Sequence, residues 1–166
     1  MADAVDKDPN YWVLSIDDDP FLRLGLNSAL SQTKDIEFSS AASKTDGMQV
    51  FVEMWNDSRE DIKRKPSLIL LDQDLQGGEK GTDLLSDIID FCGGTPEEAV
   101  KVCMLSASQQ QRDWGKAFEL GAIGWIDKAA VTDLDKFPGR LRDIINNRQV
   151  EWEGSQAQYI MRVQQN

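Results

Sequence analysis

Residues 12–20, WVLSIDDDP, and residues 67–75, SLILLDQDL, share one pattern: an apolar run that stops at a carboxylate. Trp12 to Ile16 runs into Asp17 and Asp18, and Leu68 to Leu71 runs into Asp72. Short apolar runs bounded by polar turn residues read as strands buried on both faces, the kind found in parallel sheets. If the two are neighbours, three acids meet at one sheet edge. Like charges that close repel and raise each other's pKa unless a cation lies among them, so the pattern points to a metal, a proton or a nucleophile.

The same punctuation recurs along the chain. Ile36 to Ala41, Val102 to Leu105 and Gly124 to Ile126 read as three further strands. Between them lie helical stripes: Leu22, Leu26, Ala29 and Leu30; Met48, Phe51, Val52 and Trp55; Leu84, Leu85, Ile88 and Ile89; then Trp114, Ala117 and Phe118, ended by Gly121. A last stripe of Leu134, Phe137, Leu141, Ile144 and Ile145 contains Pro138, which a helix tolerates only in its first turn. Alternating strands and helices predict a doubly wound α/β fold, a parallel sheet covered on both faces by right-handed crossovers. In such sheets function gathers beyond the carboxyl ends of the strands, which is where Asp17, Asp18, Asp72, Ser106 and Lys128 fall.

Composition narrows the function classes. The 166 residues suit one well-buried core. We expect one domain over residues 11–147, a flexible N-terminus over 1–10, and a linker or short helix over 148–166. A net charge of −11 opposes contact with nucleic-acid backbones or anionic lipid, which needs clustered Lys and Arg. No apolar run approaches the roughly 20 residues of a membrane span, and the opening MADAVDKDPN has neither the basic nor the apolar region of a signal peptide. A cytoplasmic protein is expected. Cys92 and Cys103 match no zinc spacing and read as reduced thiols. The absence of histidine excludes Ser-His and Cys-His nucleophiles.

Each candidate has a plainer reading. Asp19 precedes Pro20, so it is best placed as the N-cap of a helix that Pro20 opens. Asp17 and Asp18 taken alone could be solvated loop acids, Asp72 a loop acid or helix cap, Ser106 a turn residue and Lys128 a surface charge. Asp74, two residues past Asp72, could offer a carbonyl or carboxylate to a shared metal. The charged run Asn56 to Lys65 reads as a solvated loop or frayed helix end. What outweighs the plain readings is that the candidates follow different strands in a consistent order.

Those residues together resemble the receiver domain of response regulators in two-component signalling, over about residues 11–147. VLSIDDDPFLRLGL resembles the family's first strand, acidic pair and first helix; SLILLDQDL its phosphoacceptor strand; VCMLSAS its Ser/Thr strand; and GAIGWIDKA its final strand and lysine. The resemblance implies a five-stranded, flavodoxin-like (βα)5 fold. It implies that Asp72 accepts a phosphoryl group, that Asp17 and Asp18 hold Mg²⁺ with Asp72, and that Asp74 adds its main-chain carbonyl. Lys128 would steady the phosphoryl oxygens. Ser106 would bond the new phosphoryl group and draw its loop inward, with Trp125 at the aromatic switch position, or merely packed in the core.

The implied partner is a histidine kinase or histidine phosphotransfer protein, with no nucleic-acid or membrane contact by this chain. Output or homodimerisation would use the surface of the fourth helix, fifth strand and fifth helix. Such a chain is a signalling phosphoacceptor that catalyses only its own phosphotransfer and dephosphorylation. The sequence departs from the family where Gln76 replaces a proline, where Gly81 lies nine rather than eight residues past the acid, and where Ala129 replaces the proline after the lysine. An extra loop residue and an altered Lys128–Ala129 loop, without a cis peptide, are therefore expected. Two other readings stand: a haloacid-dehalogenase-like phosphatase using Asp72-Gln73-Asp74, disfavoured because its acids come in another order, and a degenerate receiver serving as an interaction module. Tyr159, Ile160 and Val163 could give the tail a short apolar face.

Overall fold

The computed structural model describes residues 10–57, 66–93, 100–107, 111–131, 133–146 and 159–161. The expected flexible N-terminus, apart from Asn10, and most of the charged run 56–65 lie outside the described residues. Five strands run parallel: β1 (Tyr11–Ile16), β2 (Ile36–Ala41), β3 (Leu68–Leu71), β4 (Val102–Ser106) and β5 (Gly124–Asp127). They alternate with α1 (Pro20–Leu30), α2 (Lys44–Asp57), α3 (Gly81–Phe91), α4 (Gln111–Glu119) and α5 (Phe137–Ile145). A short β6 (Tyr159–Met161) pairs antiparallel with β5, so the sheet order is β2-β1-β3-β4-β5-β6.

The doubly wound α/β expectation holds, and it follows from the burial pattern of the strands. All four residues of β3 and all five of β4 are buried, so both faces of the sheet must be covered. Alternation then divides the core into two. Leu14, Ile16, Ile69, Leu71, Val102, Met104 and Trp125 pack with Phe51, Leu84, Leu85, Ile88 and Ala117, which places α2, α3 and α4 on one face. Val13, Leu68, Leu70, Cys103, Leu105 and Ile126 pack with Leu26, Leu30, Phe137, Leu141 and Ile144, which places α1 and α5 on the other.

The helix boundaries have identifiable chemical causes. Asp19 caps α1 by accepting the amides of Phe21 and Leu22, with Pro20 inside the first turn, as the DDDP segment leads one to expect. Pro138 sits in the first turn of α5, the one place the helix tolerates it.

The tail departs from expectation. Residues 148–166 were expected as a linker or short helix, yet their described part, Tyr159–Met161, is a strand. The outer edge of β5 offers unpaired amides and carbonyls that an extended segment can bond and a helix cannot, and Tyr159–Met161 pairs with it.

Long-range polar contacts close the α1 and α5 face. Arg142 on α5 makes a bidentate pair with Asp35 just before β2, Nε to Oδ2 and Nη2 to Oδ1 both at 2.7 Å. The hydrogen bond and charge of Arg142 lower the Asp35 pKa against its burial. Asn146 beyond α5 donates to the Tyr11 hydroxyl at 3.1 Å. Arg142→Lys keeps the charge and loses the planar fork, so stability is expected to fall by about 0.5–1.5 kcal/mol in urea unfolding, a loss that added salt partly masks.

Candidate functional site

Strand register alone brings the first two acids together. Ile16 is aligned with Leu71, and the residue after each is a carboxylate, Asp17 and Asp72. The Asp72 amide donates to the Ile16 carbonyl at 2.9 Å and the Asp17 amide to the Ala41 carbonyl at 3.0 Å, so both acids leave the sheet at its last hydrogen bonds. Asp18 follows at the next position, partly exposed, while Asp17 and Asp72 are 1% and 3% exposed. One carboxylate oxygen from each of Asp17, Asp18 and Asp72 lies within 4.8 Å of the others, as the sequence pattern predicts for neighbouring strands.

Lys128 answers the repulsion. It follows β5 directly, and its Nζ lies 2.8 Å from Asp17 Oδ2 and 3.1 Å from Asp72 Oδ2. Burial of the Asp72 carboxyl, reinforced by the Asp17 charge and only partly offset by Lys128, pushes its pKa up to about 6. Burial works against the Lys128 charge as well, yet the hydrogen bond and charge of Asp17, joined by Asp72, hold its pKa above the ordinary value.

The surrounding backbone orients the acids. Asp19 N–H donates to Asp17 Oδ1 at 2.8 Å, and Arg23 Nη1 donates to the Asp17 carbonyl at 2.6 Å. Asp74 N–H donates weakly to Asp72 Oδ1 at 3.4 Å. The Asp74 side chain itself is exposed and paired with Lys80, across a bridge that closes the β3–α3 loop. Asp74 thus touches the acids through its amide, while its carboxylate lies outside the cluster of Asp17, Asp18 and Asp72. The loop turns at Gly77 and Gly78, with φ of 73° and 76°, in the segment where an extra residue was expected.

Ser106 is the last residue of β4 and fully buried, one register step beyond Leu105 and aligned with Asp127. Trp125 is 3% exposed and packs in the core on the α2–α4 face, the plainer of its two sequence readings. No cis peptide occurs among the described residues, in keeping with Ala129 after Lys128.

The donor set suits a hard divalent cation. Three carboxylates supply oxygen ligands, and the buried Asp17 Oδ2 is met by the Lys128 ammonium at 2.8 Å. Opposite ligands of an octahedral Mg²⁺ stand about 4 Å apart, a span compatible with this cluster. Two features had no sequence signal. Arg23 reads as an ordinary helix residue, and the buried pair of Gln73 and Thr82, nine residues apart, belongs to no spacing rule.

A family model described as the response regulator receiver domain matches residues 13–136. Among solved structures, the response regulator domain of Thermotoga maritima CheB aligns with a TM-score of 0.62 at 18% identity, covering 82% of this chain and 96% of that one. The phosphorylated cyanobacterial phytochrome response regulator RcpA aligns at 0.64 and 18%, covering 82% and 94%. The Mn(2+)-bound form of response regulator Rcp1 aligns at 0.60 and 20%, covering 80% and 92%. No curated protein sequence matches significantly.

The raised Asp72 pKa has a stability consequence. Below about pH 3 the carboxyl is protonated in both folded and unfolded chains and costs nothing. As pH rises through the interval from 3.8 to about 6, the unfolded chain ionises first and the fold loses stability. Asp72→Asn is therefore expected to stabilise the metal-free protein at pH 7 by about 1–3 kcal/mol, with the gain vanishing at about pH 3. Urea unfolding in chelator across that pH range measures it.

Proposed function

The chain belongs to the response regulator receiver domain family, and on that premise we propose that Asp72 accepts a phosphoryl group from a phosphohistidine on a partner kinase or phosphotransfer protein. The observation that carries this reading is the buried Asp72 carboxylate, bracketed by the acids Asp17 and Asp18 and by the Lys128 ammonium. With no histidine of its own, the chain relies on a partner for the donor.

Asp17, Asp18 and Asp72, with the main-chain carbonyl of Asp74, would hold the Mg²⁺. When bound, it supplies charge neutralisation to the phosphoryl oxygens and lowers the Asp72 pKa. An ionised Asp72 oxygen attacks phosphorus in line as the P–N bond breaks, its electron pair returning to the partner's imidazole. Lys128, already bridging Asp17 and Asp72, turns its ammonium toward a phosphoryl oxygen. Burial keeps bulk water from the acyl phosphate that results.

Readout runs through the neighbouring strands. Ser106 donates its hydroxyl to the phosphoryl group at the end of β4, and β4 pairs with β5 through Met104 with Trp125 and Ser106 with Asp127. A shift at Ser106 thus reaches Trp125 and the surface of α4, β5 and α5, where output or homodimerisation would act. For the donor protein, Phe21 and Leu24 on α1 are 84% and 67% exposed just beyond the acidic loop, an apolar patch suited to a partner helix. This work belongs in the cytoplasm. Among the described residues no helix is long and apolar enough to cross a membrane.

The phosphatase alternative loses support because the Asp74 carboxylate is paired with Lys80 in the exposed loop, away from the position of a general acid. Intact-mass analysis after acetyl phosphate treatment tests the proposal. One phosphoryl adduct is expected with Mg²⁺, none in chelator and none in Asp72→Asn; an adduct that survives Asp72→Asn overturns the assignment.

A further inference from the structure

The peptide following Asp72 is clamped to α3 by groups that the phosphoryl chemistry does not itself use. Gln73 is 5% exposed and Thr82 is 1% exposed. The Thr82 N–H donates to Gln73 Oε1 at 3.1 Å, and Gln73 Nε2 donates to Thr82 Oγ1 at 3.4 Å. The Gly81 N–H donates to the Gln73 carbonyl at 2.9 Å. A Cβ on Gly81 would stand 2.0 Å from the Asp72 carbonyl oxygen, so the first turn of α3 rests directly on the Asp72 peptide.

The pair serves the helix as well: Lys80 gives α3 no side-chain cap, and Gln73 Oε1 takes the buried Thr82 N–H of its first turn. Leu71, Leu75, Leu84 and Leu85 are buried along the same segments, so the pair is a polar contact between largely apolar stretches. An apolar side chain at position 73 would avoid the desolvation cost of a carboxamide but would leave the buried Thr82 N–H without its acceptor. What the polar pair adds is direction. Two hydrogen bonds fix the Gln73 side chain against α3, while its own backbone leads into the Asp74 amide that donates to Asp72 Oδ1.

We propose that Gln73, paired with Thr82, is a positioning residue that holds the Asp72–Asp74 peptides in the orientation phosphoryl acceptance needs. The pair sets where Asp72 Oδ1 and the Asp74 carbonyl point, and it ties that orientation to the first turn of α3. This rests on Asp72 being the phosphoacceptor.

Gln73→Met keeps the volume and removes both hydrogen bonds. Thr82→Ser keeps the hydroxyl and the amide. Adduct formation is followed by intact mass over a series of acetyl phosphate concentrations at saturating Mg²⁺, well below the unfolding temperature. In Gln73→Met the maximal rate is expected to fall about fivefold to tenfold, with the half-saturating acetyl phosphate concentration changed less than about twofold. Thr82→Ser is expected to keep the wild-type rate. A wild-type maximal rate in folded Gln73→Met, or an equal loss in Thr82→Ser, overturns the inference. If Gln73→Met does not fold, Thr82→Val removes one bond and bears the same test, with a loss of about twofold expected and no loss overturning it.

Calorimetric titration of Mg²⁺ separates this inference from the functional reading beneath it. A wild-type chain that takes no adduct defeats the phosphoacceptor reading. The pair's hold on the Asp72–Asp74 peptides is then judged by Mg²⁺ affinity alone: a severalfold weakening in Gln73→Met upholds that hold, and an unchanged affinity overturns it.

Discussion

Two carboxylates buried side by side can exist in a folded chain only if something positive meets them, and in this protein the Lys128 ammonium does so from 2.8 and 3.1 Å. The contact is demanding. Asp17 follows β1, Asp72 follows β3 and Lys128 follows β5, so three strands must end at the same level for one ammonium to reach both acids. The parallel register does this, since Ile16 aligns with Leu71 and each is followed by an acid. The relief is only partial: burial first, and then the Asp17 charge, raise the Asp72 pKa to about 6 against the pull of Lys128. That residue of repulsion is what a divalent cation would relieve.

The acidic run shows how neighbouring residues of one type take different work. Asp19 spends its carboxylate on the amides of Phe21 and Leu22 and becomes a helix cap. Its own amide then holds Asp17 Oδ1, so the cap also orients the buried acid. Asp18, partly exposed, faces the same cluster from the solvent side. Asp72 and Asp74 separate in the same manner, one buried at the strand end and the other drawn outward by Lys80. In each case the backbone direction at the end of a strand decides which carboxylate turns inward.

The strand at Leu68–Leu71 was legible to the residue because a run buried on both faces is apolar throughout, and Ile36–Ala41, a partly exposed edge strand with only Ile36 and Ala41 buried, was legible from its apolar ends and the turn residues that bound it. The capping by Asp19 and the first-turn place of Pro138 were legible because local chemistry enforces them. Helical stripes were legible in type but less so in membership. Met54 is buried without having been singled out, while Leu22 is only partly covered, since the width of a buried stripe depends on the neighbouring helix. The strand at Tyr159–Met161 was not legible, because what makes it a strand is the free edge of β5, more than thirty residues earlier.

By itself the sequence determined the order of strands and helices, the residues that end each strand, and therefore the list of groups able to gather at one edge. Periodicity, capping and chain direction are local properties, and they suffice for that. Only the tertiary structure decided which of those groups touch: that Lys128 bridges Asp17 and Asp72, that Asp74 turns away to Lys80, that Trp125 lies in the core, and that Gln73 locks onto Thr82. Those outcomes depend on register between strands distant in sequence and on the burial that follows. Charge, hydrogen bonding and desolvation act through distance in space, which residue order alone does not specify.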